Sequence, residues 1–212
     1  MQRIIIFANG ELPDLNKVRA LLRADDFILC ADGGMRHALA LGLTPNLVIG
    51  DMDSIEQHEW KKLQESNTAI ELYPRDKNET DLEVALNHAI ELKPQEITII
   101  AALGGRLDQT LANIALLADP RLSTLGVRLD DGVEEIFFCR GQVQVHGRSG
   151  DIVSLIPWQS AVTGVQTKNL KWTLDNETLY PNKTRGISNK MNKDIVFISI
   201  GSGSLLIVHR RL

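Results

Sequence analysis

The sequence predicts an α/β unit followed by an all-β unit. Across residues 1–120, short runs rich in Ile, Val and Leu alternate with longer segments whose apolar residues recur at helical spacing. After Asp119-Pro120 that spacing stops, and short runs rich in Val, Ile and Thr follow one another. Asp-Gly, Arg-Gly and Ser-Gly-Asp turn signals separate these later runs, as hairpin-connected strands require. The boundary is placed within 119–126, giving domains 1–122 and 123–212, the second read as a small antiparallel sandwich or barrel.

In the first part the apolar runs predict strands at Arg3–Ala8, Phe27–Ala31, Leu47–Ile49, Ala69–Leu72 and Ile97–Ala102. Helices are expected between them at Leu15–Ala24, Met35–Leu41, Glu56–Ser66, Thr80–Leu92 and Leu107–Ala118. The fourth helix has the fullest signature. Leu82, Ala85, Leu86, Ala89 and Ile90 mark one apolar stripe, and Thr80 with Glu83 makes a capping-box pattern at its start. In the second part strands are expected at Gly126–Leu129, Glu135–Phe138, Val143–Val145, Ile152–Ile156, Ala161–Val165 and Ile195–Ile200.

Composition narrows the function. The chain has 212 residues, 43% apolar and 24% charged, with a net charge of −4, so disorder is excluded and no basic face for duplex DNA or an anionic membrane is implied. No nucleic-acid and no membrane partner is expected. Cys30 and Cys139 sit inside apolar runs, which fits reduced, buried thiols and a cytoplasmic address. The first residues turn polar by Asn9 without an export signal, and no run reaches the roughly 20 apolar residues of a membrane span.

Four clusters place acidic or glycine residues where an α/β sheet presents its carboxyl edge. Asp32-Gly33-Gly34 follows the second strand, and Asp32 serves equally well as a helix N-cap. Gly50-Asp51-Met52-Asp53-Ser54 follows the third. In extended backbone Asp51 and Asp53 point the same way and can share one cation, while Ser54 caps the next helix. Arg75-Asp76-Lys77-Asn78-Glu79-Thr80-Asp81 follows the fourth. Thr80 and Asp81 suit a helix start, which leaves Asp76-Lys77 as a carboxylate and a cation in the preceding loop. Gly104-Gly105-Arg106-Leu107-Asp108-Gln109-Thr110 follows the fifth, where a glycine pair presents amides to a phosphate and Arg106 adds a bidentate grip. Gln109 and Asn113 share one helix face.

Together these residues point to a divalent metal bridging polyphosphate oxygens. No G-x-x-x-x-G-K-[ST] loop is present, and Asn9-Gly10-Glu11 stands where a G-x-G-x-x-G would follow the first strand. The residues alone leave open a metal-dependent phosphohydrolase, a nucleotide transferase and a non-catalytic binding protein.

The ordered set of these motifs, with Gly150-Asp151-Ile152-Val153-Ser154-Leu155-Ile156-Pro157, Leu170-Lys171-Trp172 and Gly186-Ile187-Ser188-Asn189 later in the chain, resembles the thiamine pyrophosphokinase family over nearly its whole length. The resemblance implies a Rossmann-like N-terminal domain, a C-terminal β-sandwich, and a homodimer with active sites between subunits. The implied reaction moves the pyrophosphoryl unit of ATP to the hydroxyl of thiamine, with Mg²⁺, giving thiamine diphosphate and AMP. Carried onto this chain, Asp51, Asp53, Asp76 and Asp108 lie around the metal and phosphates, with the first three as metal ligands. Lys77 and Arg106 neutralise developing charge. Asp32, Gly33, Gly34, Thr80, Asp81, Gly104 and Gly105 complete the ATP side. Trp172, Ser188, Asn189 and Gln109 form the thiamine side, and Asp76 receives the hydroxyl proton. Asn78 departs from the acidic residue many members carry there, and Gln109 from a frequent His.

Overall fold

Continuous apolar runs become the interior of a parallel sheet. The structure is a computed structural model describing residues 3–53, 55 and 57–212, with backbone only at 57–59. The chain divides into two units, Met1–Gly132 and Val133–Leu212.

In the first unit, β1 (Arg3–Phe7), β2 (Phe27–Ala31), β3 (Leu47–Gly50), β4 (Ala69–Leu72), β5 (Glu96–Ile100) and β6 (Gly126–Asp130) pair in parallel in the order β6-β5-β1-β2-β3-β4. The helices are α1 (Leu15–Arg19), α2 (Met35–Ala40), α3 (Gln57–Gln64), α4 (Asp81–Glu91) and α5 (Leu107–Leu116). Ile5 and Phe7 of β1 join a core with Val18, Met35, Ala38 and Leu63 from α1, α2 and α3. Ile4 and Ile6 have the opposite parity and are also fully buried, and α4 packs on β1, β2 and β3. Burial on both faces is why β1 reads as an unbroken apolar run rather than an alternating one. Thr80 caps α4, its hydroxyl accepting from the Glu83 N–H at 3.2 Å, as the sequence pattern anticipates. The expected Ser54 cap lies outside the described residues.

The run Gly126–Leu129 corrects the sequence reading. Its composition groups it with the β half, yet β6 pairs in parallel with β5, Glu96 opposite Gly126 and Ile99 opposite Leu129. A strand that follows a crossover helix is delivered parallel to the strand before it, whatever its composition. The division between units accordingly falls after Gly132 rather than at 122.

The second unit contains β7 (Glu134–Cys139), β8 (Gln142–His146), β9 (Ile152–Pro157), β10 (Val162–Lys168), β11 (Glu177–Leu179), β12 (Asn189–Lys190), β13 (Ile195–Ser199) and β14 (Leu205–Arg210). They form two antiparallel sets, β12-β9-β14-β7 and β11-β10-β13-β8. Val153, Leu155, Leu205 and Ile207 from the first set and Val145, Val162, Val196 and Ile198 from the second share one core. Sequence analysis does not identify β14, although it pairs with both β7 and β9 along its full length. Among the described residues no helix is long and apolar enough to cross a membrane.

The end of β14 is tied by side-chain hydrogen bonds. His209 is fully buried, with Nδ1 3.3 Å from Glu135 and Nε2 3.1 Å from Asp151. An imidazolium donates to both carboxylates, whereas a neutral ring donates to one. Burial raises the Asp151 pKa, but the Arg148 and Leu212 N–H groups and His209 outweigh it and hold this carboxyl below its ordinary value. A carboxyl with a depressed folded pKa stabilises above its unfolded value, near 3.9, and loses that contribution as pH falls through the folded value. Asp151→Asn is therefore expected to cost about 1–3 kcal/mol at pH 7, the scale for leaving buried hydrogen-bonding groups without their partner. Urea unfolding should show that difference shrinking as pH falls below about 4.

Candidate functional site

Strand order reverses between β1 and β5, so the loops leaving their carboxyl ends diverge and open a crevice. A cleft of about 700 Å³ lies there, lined by residues that follow β1, β2, β3, β4 and β5. Two glycines permit this close assembly. A Cβ on Gly10 would stand 2.4 Å from the Ala101 carbonyl oxygen, the acceptor of the Gly10 N–H itself, and one on Gly34 would stand 2.1 Å from that of Phe7.

Asp32, Asp51 and Asp53 converge in this cleft, each offering an oxygen within 4.8 Å of the others. Asp32 is buried, with a left-handed φ of 46°, and its Oδ1 has no hydrogen-bond partner. It caps no helix: α2 has no side-chain cap. The convergence of Asp51 and Asp53 does not come from extended backbone. β3 ends at Gly50, Met52 takes φ 62°, and the Asp53 N–H donates to Asp51 Oδ1 at 3.1 Å. Non-glycine residues in this region carry strain and persist where surrounding structure enforces them.

Cations face the carboxylates. Lys77 Nζ lies 2.8 Å from Asp81 and donates to the Pro74 carbonyl at 3.3 Å. The hydrogen bond to Asp81 is the main cause that holds the lysine pKa above its ordinary value; burial opposes it, and the charges of Asp81, Asp51 and Asp32 add to it. Arg75 Nη2 lies 3.2 Å from Asp53. Arg106 reaches Asp108 through Nε at 3.1 Å and Nη2 at 2.5 Å, both side chains being exposed. That hydrogen bond, helped by the Gln109 N–H, lowers the Asp108 pKa. Gly104 and Gly105 turn with φ 81° and 63°, and Asn113 anchors α5 beside them by donating to the Ala102 carbonyl at 2.8 Å.

The second unit has its own smaller cleft of about 400 Å³, lined by Trp172, Thr184, Arg185, Gly186, Ile187 and Asn189. Asn189 is buried and treats Trp172 as a strand partner. Its Oδ1 accepts the Trp172 N–H at 3.0 Å, and its Nδ2 donates to the Trp172 carbonyl at 2.6 Å. Trp172 itself is 47% exposed. Arg185 is held by Glu177 through two hydrogen bonds of 3.0 and 2.8 Å.

Most of the first cleft and all of the second lie in segments that match known families. A family model described as the thiamin pyrophosphokinase catalytic domain matches residues 18–148, and one described as the thiamin pyrophosphokinase vitamin B1 binding domain matches residues 142–205. The chain belongs to the thiamine pyrophosphokinase family. A thiamine pyrophosphokinase from Bacillus subtilis is 29% identical over 179 residues, 84% of either chain. Thiamine pyrophosphokinase 1 of Oryza sativa is 26% identical over 229 residues, covering 93% of this chain and 83% of its own. The solved structure of the Bacillus subtilis protein superposes with a TM-score of 0.90 at 24% identity, both chains covered in full. Yeast thiamin pyrophosphokinase superposes at 0.78 with 17% identity, covering 99% of this chain and 86% of that one. These last two likenesses show a shared fold.

For a chain of the thiamine pyrophosphokinase family, the expected site residues divide into groups. Asp51, Asp53, Lys77, Thr80, Asp81, Gly104, Gly105, Arg106 and Gln109 line the first cleft with Asp32, while Asp76 and Asp108 do not. Asp76, expected beside Asp51 and Asp53, is exposed, and Asp32 is the third member of the carboxylate cluster instead. Gly33 and Gly34 are buried and do not line the cleft. Trp172 and Asn189 meet and line the second cleft, whereas Ser188 does not line it; Ser188 has φ 56° and its N–H donates to Ser154 Oγ at 3.0 Å. Sequence analysis does not name Asn9, Gly10 or Glu11 as site residues and gives Arg75, the first residue of its third cluster, no role, yet all four line the first cleft. For the first three the available signal was their position directly after β1. Gly10→Ala is expected to drive the new methyl into the Ala101 carbonyl and cost about 3 kcal/mol, measurable as a lowered urea midpoint.

Proposed function

We propose that this protein transfers the pyrophosphoryl group of ATP to the hydroxyl of thiamine, giving thiamine diphosphate and AMP. In this reading the carboxyl-edge cleft of the first unit holds ATP and the Trp172 cleft of the second receives thiamine. The observation that carries it is the convergence of Asp32, Asp51 and Asp53 at the crevice of a parallel sheet, in a chain of the thiamine pyrophosphokinase family. The strand order around that crevice supports a Rossmann-like nucleotide-binding unit.

The donor set fits Mg²⁺. Three carboxylates crowded together repel one another unless a cation compensates, and the partnerless Asp32 Oδ1 is a hard oxygen donor that the protein leaves unused. When bound, Mg²⁺ supplies charge neutralisation and alignment of phosphate oxygens. Lys77, fixed by Asp81 and Pro74, presents an ammonium to the same cleft without a search through rotamers. Thr80 and Asp81 act through this arrangement, one by starting α4 and the other by holding the lysine. Arg106 offers a guanidinium at the Gly104-Gly105 turn, and Asp108 orients it. Phosphoryl-type transfer depends mainly on such positioning and charge stabilisation, so these parts suffice for the chemistry.

On the thiamine side, Trp172 presents an aromatic face to a cationic ligand, and Asn189 acts as a positioning residue because its amide is engaged with the Trp172 backbone. The exposed Trp172, Tyr180, Ile187, Ile195 and Phe197 of the second unit support a homodimer with active sites between subunits. The free, buried Cys30 and Cys139 fit a reducing compartment, in line with a cytoplasmic address.

With ATP and Mg²⁺, AMP and thiamine diphosphate are expected in equal amounts and only when thiamine is present; ADP or thiamine-independent hydrolysis would refute the reading. Asp51→Asn is expected to lower kcat by about a hundredfold or more while the protein stays folded. The carboxylate geometry also separates two aspartates. Asp32→Asn should raise the Mg²⁺ concentration for half-maximal rate about tenfold or more, and Asp76→Asn by less than about threefold, in a metal titration at saturating substrates.

A further inference from the structure

The tryptophan that the second unit presents to solvent already carries a cation. Lys171 Nζ lies 4.8 Å from the centroid of the Trp172 ring, inside the range of about 6 Å over which an ammonium is attracted to an aromatic face. Both residues are exposed, and among the described residues no carboxylate pairs with this ammonium. Arg185, which lines the same cleft, differs: Glu177 holds its guanidinium with two hydrogen bonds. Lys171 is thus the uncompensated cation beside the ring.

The arrangement is built by the backbone. The Lys171 N–H donates to the Lys190 carbonyl at 2.8 Å, and Asn189 clamps both backbone groups of Trp172. Leu170, one residue earlier, is buried and bridges Met191. With the segment pinned on both sides, the ring is held in place and the lysine chain lies over it.

We propose that Lys171 is an internal competitor for the aromatic face of Trp172 and thereby sets the affinity for thiamine. The inference rests on the reading above that this ring receives thiamine. A thiazolium that stacks on Trp172 replaces one cation–π contact with another, so the ring contributes less net affinity than a bare tryptophan would.

Two conservative substitutions on the full-length protein move affinity in different directions if this is right. Lys171→Met keeps an unbranched side chain one atom shorter and removes the charge, and should tighten thiamine binding about two- to fivefold. Lys171→Arg stacks on the ring at least as well and should leave binding unchanged or weaker. Both effects should be read as thiamine Kd by isothermal titration calorimetry and as thiamine KM, with the KM for ATP unmoved. Trp172→Leu should weaken thiamine binding about tenfold or more and abolish the gain from Lys171→Met in the double variant. If Trp172→Leu weakens binding but Lys171→Met leaves it equal or weaker, the competitor is refuted and the thiamine reading stands. If Trp172→Leu leaves thiamine binding unchanged, both are refuted.

Discussion

Like charge held in close quarters organises the first unit. Asp32, Asp51 and Asp53 keep oxygens within 4.8 Å of one another at the ends of two adjacent parallel strands. Such an arrangement opposes folding unless something enforces it. Here the enforcement is backbone packing. Gly50 allows β3 to end against Asp32, where a Cβ would stand 2.8 Å from the aspartate's own Cβ. Left-handed backbone at Asp32 and Met52 then turns the carboxylates inward, and the fully buried strands beneath them hold the loops to that shape. Strain and repulsion are concentrated where a bound cation would relieve them.

The remainder of the cleft answers that negative cluster. Lys77 comes from the loop before α4, Arg75 from the same loop, and Arg106 from the entrance of α5. Each is already paired to a carboxylate, Lys77 to Asp81, Arg75 to Asp53 and Arg106 to Asp108. Pairing fixes where the cations sit. The parallel sheet makes this possible because all its carboxyl ends point the same way, so loops far apart in sequence deliver their side chains to one edge.

The second unit solves a different problem. Its two antiparallel sets share an apolar core, and its polar interior is confined to places where a backbone must be fixed. Asn189 supplies the hydrogen bonds that a strand would give to Trp172, and His209 with Glu135 and Asp151 ties the end of β14. Both devices hold irregular segments against regular ones through short polar side chains.

The sequence by itself determined the alternation of strands and helices through residue 118, because a buried parallel strand must be an apolar run and a surface helix must carry a stripe. It also determined the Thr80 cap and which loops carry acidic and glycine residues, since those depend on neighbours a few residues away. Tertiary structure decided what depends on distant partners. β6 belongs to the parallel sheet because α5 delivers it beside β5, a fact its composition cannot carry. Asp32 rather than Asp76 joins Asp51 and Asp53 because β2 and β3 are adjacent and Gly50 lets them touch. Asn9, Gly10 and Glu11 enter the cleft only because β1 lies at the point where strand order reverses, and no local pattern records which strands become neighbours. Asn189 is a clamp on Trp172 rather than a free amide because its partner lies 17 residues away across a strand pairing. Local chemistry is written in local sequence, whereas convergence is a property of the sheet.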